Sequence, residues 1–342
     1  MSRNRVSHGV TIEDVAREAG VSYATVSRVV NNKSYIKPAT RERVMEAITR
    51  LGYVVNPQAR SLAGGQSQVI GLVVQELGSE YIGGVVRGID MELDALGYNL
   101  MLYVTHRRKT RESTYVTALT RGLSEGLLLV IPRNAEAYLE TLRQYHFPYV
   151  LIDYQGNNDE NASVGVTNRQ GAYDAVHYLI DLGHHRIGFI TGILEMGSAV
   201  DRLAGYRAAL TDNGLTDAPE LVVEGKFDHS SGYFGAATLL GLADPPTAIF
   251  ASNDESANGV LDAIRDRGLR IPDDISVIGF DDVPRAASAH PGLTTVRQPL
   301  EEMGRVATKM LLESIKDPDR VVESVILPTE LILRNSCQQR TS

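Results

Sequence analysis

From residue 69 onward, short apolar runs alternate with segments whose apolar residues recur at helical spacing. The runs cover residues 69–74, 99–104, 126–131, 149–153, 164–167, 186–191, 221–224, 247–252 and 275–281. Near-continuous apolar strands separated by helices are typical of parallel sheets that are covered on both faces. So many strands exceed one sheet of ordinary size, which predicts two doubly wound lobes with ligand sites beyond the carboxyl ends of their strands.

A different pattern occupies residues 10–32 and predicts two short helices joined by a tight turn. Thr11 is suited to cap the first helix, and Asp14 follows three residues later as its capping-box partner. Gly20 stands where this helix must stop and the chain must bend, and Ser22 is suited to cap the second helix. We interpret the segment as a helix-turn-helix, which places its second helix in the major groove of DNA.

The outward side of this second helix carries residues that can contact DNA. Its apolar spacing leaves Tyr23, Ala24, Ser27 and Arg28 as the outward positions, and these can meet base edges and phosphates. The first 66 residues hold ten Lys and Arg but five Asp and Glu, so they carry +5 and leave −13 on the remainder of a chain of net charge −8. A basic head on an acidic body indicates that the head alone meets a polyanion, the alternative being random variation of surface charge.

Two further segments follow the helix-turn-helix. Residues 38–51 predict a third helix that begins at Pro38 and stops at Gly52, although Lys37 before it cannot accept hydrogen bonds as a capping residue does. Residues 56–65 predict a very short helix capped by Asn56. So short a helix is marginal alone in water, which favours a hinge that folds when something packs on it over a plain linker.

Composition excludes several classes of protein. No apolar run approaches the length that spans a bilayer, and no secretory signal begins the chain, so we expect a cytoplasmic protein without a membrane partner. One cysteine, Cys337, allows neither an internal disulfide nor a cysteine-based metal site, and no cofactor is expected. The chain has no Gly-x-Gly-x-x-Gly or P-loop motif. His184 and His185 are adjacent on a segment that enters a strand, and such positions rarely converge on one ion, so an enzyme is not expected.

Taken together, these motifs resemble the LacI/GalR family of transcription repressors from Val10 to Cys337. The most specific segment is residues 11–31, and supporting segments are residues 51–56, 182–188, 202–206, 252–254, 271–282 and 293–296. The resemblance implies an all-α helix-turn-helix headpiece followed by an α/β body of two lobes with doubly wound parallel sheets, like a periplasmic sugar-binding protein. Such a body holds its ligand in the cleft between the lobes.

The resemblance also implies how the head contacts DNA. Arg28 would donate two hydrogen bonds to a guanine edge, Ala24 would meet a thymine methyl, and Tyr23 would do either or would only pack. Leu62 would wedge into the minor groove of the operator, unless it is a core residue. The implied DNA-binding residues are Thr11, Ser22, Tyr23, Ala24, Thr25, Ser27, Arg28, Asn31, Asn56, Ala59 and Leu62.

For the effector cleft, the resemblance points to residues whose chemistry suits a sugar. Arginine and asparagine donate to hydroxyl oxygens, carboxylates accept from O–H groups, and an aromatic face covers a sugar ring. Asp254 is left open between a helix cap and a ligand contact, and Phe227 between ligand contact and core. The implied effector-binding residues are Tyr81, Asp153, Arg202, Phe227, Asn253, Asp254 and Asp281. Converging cations for a phosphorylated ligand are not evident, which favours a neutral sugar, while a purine or other corepressor remains open.

Chain order in the resembling family implies domain boundaries and an assembly. We expect a headpiece at residues 1–55, a hinge at 56–66 and an effector-binding and dimerisation domain at 67–342, with lobe 1 at about 67–166 and 298–327 and lobe 2 at about 167–297 and 328–342. A two-fold homodimer is expected, because one headpiece offers few contacts and no heptad tail follows. The predicted function is repression of carbohydrate-utilisation genes, relieved by a sugar; a sugar-binding transport component is the remote alternative.

Overall fold

The computed structural model describes residues 10–30, 35–53, 67–106, 108–133, 135–154, 161–318 and 323–340. Four residues expected to contact DNA lie outside these ranges, namely Asn31, Asn56, Ala59 and Leu62. The short hinge helix expected at residues 56–65 lies outside them as well, so its formation stays a prediction.

Three helices form the headpiece: α1 (Ile12–Ala19), α2 (Tyr23–Val30) and α3 (Pro38–Leu51). They share one small core, in which the buried side chains are Val15, Ala16, Ala19, Val26, Val29, Val44 and Ala47. Each helix contributes apolar residues at helical spacing to this core. The shared core stabilises all three helices, since none of them is long enough to be stable alone.

The ends of the headpiece helices follow the chemistry of their sequence. The Thr11 hydroxyl accepts from the Asp14 N–H at 3.3 Å, and the Thr11 N–H donates to the Asp14 carboxylate at 3.0 Å, which completes a capping box. Gly20 ends α1 at φ 62°, in the left-handed region that glycine adopts without strain. Lys37 precedes α3 without any side-chain cap hydrogen bond, as its side chain dictates.

The body alternates strands and helices in chain order. Its first half contains β1 (Val69–Val74), α4 (Glu80–Ala95), β2 (Asn99–Val104), α5 (Lys109–Thr120), β3 (Gly126–Val130), α6 (Glu136–Gln144), β4 (Tyr149–Ile152), β5 (Ser163–Val166), α7 (Asn168–Asp181), β6 (Ile187–Ile190), α8 (Gly197–Asp212) and β7 (Val222–Val223). Its second half contains α9 (His229–Leu239), β8 (Ala248–Ala251), α10 (Asp254–Asp266), β9 (Ser276–Asp281), α11 (Pro284–Ser288), β10 (Thr294–Arg297), α12 (Leu300–Lys316), β11 (Val325–Leu327) and β12 (Glu330–Ile332).

These strands form two six-stranded sheets, each of which is the centre of one lobe. The lobe 1 sheet has the order β11-β5-β4-β3-β1-β2 with parallel neighbours throughout. Helices α4 and α12 cover one face of it, and α5 and α6 cover the other. The lobe 2 sheet has the order β12-β10-β9-β8-β6-β7, with α9 and α10 on one face and α7 and α8 on the other. Only β12 runs antiparallel among its paired strands.

The chain passes between the two sheets after β5, β10 and β11. Two of these passages are joined at Thr167 and Thr329, whose hydroxyl oxygens lie 2.9 Å apart. The Thr329 N–H also donates to the Thr167 hydroxyl oxygen at 2.9 Å. The passages therefore sit side by side, where a small change in backbone angles would reorient the lobes.

The fold class predicted from the sequence is confirmed: a helix-turn-helix headpiece precedes two lobes with parallel sheets. The apolar runs missed β10, β11 and β12. The last two are three-residue strands at sheet edges with half-exposed residues, so they carry no apolar run. In the described part of the chain, every helix is too short or too polar to cross a membrane.

Candidate DNA-binding surface and effector cleft

The start of α2 is arranged as a helix cap. The Ser22 hydroxyl oxygen accepts from the Thr25 N–H at 3.2 Å and lies 2.9 Å from the Thr25 hydroxyl. These hydrogen bonds fix the positions of the Ser22 and Thr25 hydroxyls at the N-terminus of α2, the end of the helix that would approach a phosphate. Thr11 likewise uses its hydroxyl within the capping box of α1, where it donates to Asp14 at 2.7 Å.

The outer side of α2 is open to solvent. Tyr23 is 48% exposed, and Ala24 and Arg28 are exposed as well, whereas Ser27 is half-buried. The Arg28 guanidinium carbon lies 5.7 Å from the centroid of the Tyr35 ring, a contact that positions the arginine without using its N–H groups. Tyr23, Ala24 and Arg28 are therefore accessible to a partner on the outer side of α2.

The effector cleft is a cavity between the two lobes at the carboxyl ends of their strands. It encloses about 600 Å³, counted together with the solvent at its mouth. Six of the seven residues expected to contact the effector line it: Tyr81, Asp153, Arg202, Phe227, Asn253 and Asp281. The first two come from lobe 1 and the others from lobe 2, so a ligand in the cleft would contact both lobes.

Arg202 is the most enclosed charge in the cleft. It is 2% exposed, and its Nε donates to the Asn168 side chain at 2.9 Å while Nη1 donates to the Ser252 carbonyl at 2.5 Å. Its guanidinium carbon lies 3.7 Å from the centroid of the Phe280 ring and 5.7 Å from that of Phe227. The guanidinium is thereby held between aromatic rings in a fixed orientation.

Asp281 lies opposite this guanidinium. Its carboxylate is 3.6 Å from Arg202 Nη1 and accepts from the Gln298 side chain at 2.6 Å. Burial raises the pKa of Asp281 to about 7, while Arg202 acts in the opposite direction. The pair therefore offers a ligand both an anchored donor and an acceptor whose charge is costly to bury.

Lobe 1 contributes a second carboxylate. The Tyr81 hydroxyl donates to Asp153 Oδ2 at 3.0 Å, and Asp153 Oδ1 is buried without a hydrogen-bond partner among the described residues. Burial raises the pKa of Asp153, and Arg202 across the cleft lowers it. A buried acceptor without a donor is unfavourable, so Asp153 Oδ1 favours a ligand that brings an O–H or N–H group.

The backbone supporting the cleft is unusual at the strand ends. Ile131, Asp153, Phe227 and Asp281 line the cavity and all have positive φ, between 50° and 112°. Non-glycine residues rarely occupy this region, and such strain is concentrated at binding sites that the surrounding structure holds in place. The ring of Phe227 rests on Gly192, where a Cβ would lie 1.9 Å from Phe227 Cζ, so only glycine fits there.

Asn253 and Asp254 have different roles from each other. Asn253 caps α10 by accepting from the Ser256 N–H at 2.9 Å, and its amide donates to the Phe227 carbonyl at 3.2 Å. Asp254 accepts from the Val283 N–H at 2.9 Å. Its other carboxylate oxygen accepts from the Thr295 hydroxyl at 2.5 Å.

Asp254 therefore lies outside the effector site. It is fully buried, it does not line the cleft, and both its oxygens are used within lobe 2. Burial, reinforced by the nearby Asp281, raises the pKa of Asp254 strongly. The sequence left Asp254 open between a helix cap and a ligand contact. Its neighbour Asn253 forms the cap, and Asp254 is not among the residues that line the cleft.

Three charged lining residues were missed by the sequence analysis: Glu76, Arg133 and Lys226. Each follows a strand of the sheets within three residues, so the rule that ligands bind beyond strand ends would have found them. With them, the lining carries the cations Arg133, Arg202 and Lys226 and the acids Glu76, Asp153 and Asp281. Among the lining residues that the structure describes, the formal charge is therefore balanced.

Comparison with known proteins identifies the class. Residues 11–56 match the family model of bacterial regulatory proteins, lacI family, and residues 176–337 match that of a periplasmic binding protein-like domain. Catabolite control protein A of Priestia megaterium is 36% identical over 329 residues, covering 96% of this chain and 99% of that protein. The HTH-type transcriptional repressor PurR of Vibrio atlanticus is 33% identical and covers 95% of this chain and 98% of its own length.

Solved structures agree with this assignment. The Lac repressor dimer bound to operator and the anti-inducer ONPF superposes with a TM-score of 0.87 at 32% identity, covering 97% of this chain and all of that chain. The transcriptional regulator CelR in complex with cellobiose gives a TM-score of 0.75 at 32% identity, over 96% of this chain and 99% of that chain. The chain belongs to the lacI family of bacterial regulatory proteins. It is a DNA-binding transcriptional repressor and not an enzyme.

Proposed function

We propose that a neutral sugar binds in the cleft and releases this repressor from the operators of carbohydrate-utilisation genes. The observation that carries the proposal is the pairing of a held donor, Arg202, with the buried and unpartnered acceptor Asp153 Oδ1 across the cleft. A sugar hydroxyl can donate and accept at once, so a polyhydroxyl ligand satisfies both lobes. The balanced charge of the lining also favours a neutral ligand over a phosphorylated one.

Two relatives support a sugar. The CelR structure holds cellobiose, and a regulator of the family from Enterococcus faecium holds ribose at 26% identity and a TM-score of 0.72. In this proposal the sugar contacts are Tyr81, Asp153, Arg202, Phe227, Asn253 and Asp281.

For the operator, we propose that Tyr23, Ala24 and Arg28 meet base edges and that Thr11, Ser22, Thr25 and Ser27 hold phosphates. The exposed side of α2 and its serine cap support this division. Asn31, Asn56, Ala59 and the minor-groove wedge Leu62 complete the proposed contacts. Two copies of the chain would act as a homodimer in the bacterial cytoplasm, where the DNA is, with the domain boundaries given above.

The release mechanism we propose is a shift between two lobe orientations. The lobes touch where the Arg285 N–H donates to Glu80 at 3.0 Å, and Glu80 precedes Tyr81 at the start of α4. A sugar that draws the lobes together would change this contact and move α4. Since a ligand shifts an equilibrium only through its different affinity for the two states, the sugar must bind more tightly to the orientation with low operator affinity.

A purine corepressor is the second candidate. The PurR relatives support it, and the ring of Phe227 at the cleft offers a face on which a flat base could stack. In that case the ligand would tighten operator binding.

A thermal-shift screen separates the two candidates. Mono- and disaccharides and free purine bases are added to the full chain, because a ligand that binds only the folded state raises its melting temperature. We expect a saturable rise with one sugar that is lost in Asp153→Asn and kept in Arg207→Ala, a control in which an exposed ion pair with Asp217 is removed. A rise with a purine alone would overturn the sugar proposal.

A further inference from the structure

Three of the four helix pairs in the body pack with their backbones in contact. A Cβ on Gly88 of α4 would lie 1.9 Å from the Glu301 carbonyl oxygen of α12. A Cβ on Gly205 of α8 would lie 2.2 Å from the carbonyl of Arg169 in α7, and one on Gly232 of α9 would lie 2.0 Å from a carbonyl of α10. The fourth pair, α5 and α6, contains no glycine, so its side chains hold the two helices apart.

The separation leaves a cavity between α5 and α6 on the outer face of the lobe 1 sheet. It encloses about 950 Å³ with the solvent at its mouth, more than the effector cleft. Its floor is formed by Val116, Tyr138 and Leu142, all of which are buried. We call this space the α5–α6 cavity. Among the described residues, none lines both this cavity and the effector cleft.

The lining of the α5–α6 cavity combines an apolar floor with hydroxyl groups. Around the apolar floor are the side chains of Ser113, Thr117, Thr120 and Thr141, which supply hydroxyl groups. Thr117 and Thr120 already donate to carbonyls of α5, at 2.8 and 3.0 Å, so their oxygens remain acceptors.

One cation and one aromatic ring complete the lining. Arg121 follows the last residue of α5, and among the described residues no carboxylate pairs with it. Tyr145 is 79% exposed and presents its ring at the mouth. None of the described lining residues is an acid. A ligand that fits has a single negative charge for Arg121 and an apolar body for the floor and the Tyr145 ring.

A chain of hydrogen bonds connects this cavity with the effector cleft. The Tyr138 hydroxyl donates to Glu112 Oε1 at 2.7 Å. The Glu112 carboxylate in turn accepts from the backbone N–H of Arg133 at 3.2 and 3.3 Å. Glu112 is buried, and Arg133 lines the effector cleft. One buried carboxylate therefore joins a floor residue of the cavity to the loop that follows β3.

We infer that the α5–α6 cavity is a second ligand site, for a small monocarboxylate with an aromatic or branched apolar body, and that its occupancy stabilises the Arg133 loop of the effector cleft. A ligand packed on the Tyr138 ring keeps the Tyr138 hydroxyl hydrogen-bonded to Glu112. Glu112 is then held in place as the acceptor of the Arg133 N–H. Coupling between two sites is reciprocal, so an effector that orders this loop tightens binding in the cavity as well. The regulatory meaning rests on the proposed function, but binding in the cavity does not.

The test of binding uses the absence of tryptophan from the chain. Tyr145→Trp places the chain's only tryptophan at the mouth of the α5–α6 cavity, where its emission can be excited apart from that of the tyrosines. Phe234→Trp, at an exposed position of lobe 2, is the matched control. Sodium benzoate is the probe, with benzamide and inorganic phosphate as its neutral and non-apolar counterparts. We expect a saturable change with benzoate in Tyr145→Trp, with a dissociation constant below about 1 mM, and none in Phe234→Trp.

Arg121→Gln in the Tyr145→Trp chain should weaken benzoate at least about ten-fold, because it removes the charge but not the shape. An unchanged affinity in Arg121→Gln, an equal response to benzamide, or no saturation would overturn the site. These outcomes are independent of operator and sugar binding, so they do not depend on whether the proposed function holds.

The test of the connection is hydrogen exchange of the Arg133 amide. Benzoate should slow this exchange in the wild-type chain, because the Glu112 acceptor is held in place. Tyr138→Phe keeps the ring on the cavity floor but removes the hydroxyl, so it should still bind benzoate while exchange at Arg133 no longer responds. An equal slowing in Tyr138→Phe, or no slowing in the wild-type chain at saturating benzoate, would overturn the connection.

Discussion

Replacing Arg202 should destabilise lobe 2 far more than removal of an ordinary ion pair does. Arg202→Met fills much of the volume but leaves the Asp281 carboxylate buried at 5% exposure without its cation. It also leaves the Asn168 side chain and the Ser252 carbonyl without their donors. Breaking a buried pair on one side costs about 3–5 kcal/mol, because the Asp281 carboxyl then either stays charged without its cation or has to take up a proton.

A second replacement, at Asp281, tests whether the buried carboxyl or the lost packing of the Arg202 side chain causes the instability. Arg202→Met with Asp281→Asn removes the buried charge, and Gln298 can still donate to the new amide oxygen. We therefore expect the double variant to regain at least about 2 kcal/mol of the loss, since an uncharged pair has no such desolvation cost. Arg207→Met, whose ion pair with Asp217 is largely exposed, should cost less than about 1 kcal/mol.

Urea unfolding followed by circular dichroism measures these differences as free energies of unfolding. We predict a large loss of stability in Arg202→Met, partial recovery in the double variant and little change in Arg207→Met. If the double variant is as unstable as Arg202→Met, the buried Asp281 carboxyl left without Arg202 is not the cause of the loss.

Three further predictions concern charge, packing and DNA. Because burial raises the pKa of Asp281 from 3.8 to about 7, the folded state binds the extra proton, so the free energy of unfolding should fall as pH rises from about 4 to 7, by roughly 4 kcal/mol at most. Asp281→Asn should flatten this slope in urea titrations at several pH values, and an unchanged slope would assign it to other groups. Gly88→Ala should lower stability by about 1–3 kcal/mol, since its Cβ would meet a carbonyl oxygen, whereas Gly83→Ala on the same helix meets nothing and should be neutral or stabilising; equal melting temperatures would refute this close approach. The Arg28→Ala variant should bind operator and random DNA with about equal affinity, and its affinity for the two should fall equally as salt rises. If fluorescence anisotropy shows that the variant still prefers the operator, Arg28 is not a base-reading residue.

The parts of this fold that repeat a simple period could be predicted from the sequence. The apolar runs identify the inner strands of both sheets other than β10, because those strands are buried on both faces. Strand β10 is also an inner strand, but its buried residues include Thr294 and Thr295, so it forms no apolar run. The headpiece helices follow from Thr11 and Gly20 because caps act locally. Strands β11 and β12 were not predicted from the apolar runs. Their place at the sheet edges depends on where the chain passes between the lobes, and no local sequence pattern encodes this.

The effector cleft could be predicted in part for a related reason. Residues that follow buried strands, such as Asp153 and Asn253, can be located once the strands are known. The roles within the Asn253–Asp254 pair depend on the backbone at the start of α10, which turns Asp254 toward Thr295 and away from the cleft. The left-handed backbone at Phe227 is set by tertiary packing on Gly192, and the sequence carries no signal for it.

Release from the operator by a sugar in the cleft can be measured by fluorescence anisotropy. A labelled operator is titrated with the full chain at fixed salt, with and without the sugar that raises the melting temperature most. We predict that this sugar lowers operator affinity about ten-fold or more in the wild-type chain and changes it little in Asp153→Asn. Operator affinity that stays constant or rises when the sugar saturates the wild-type chain would contradict induction by a sugar.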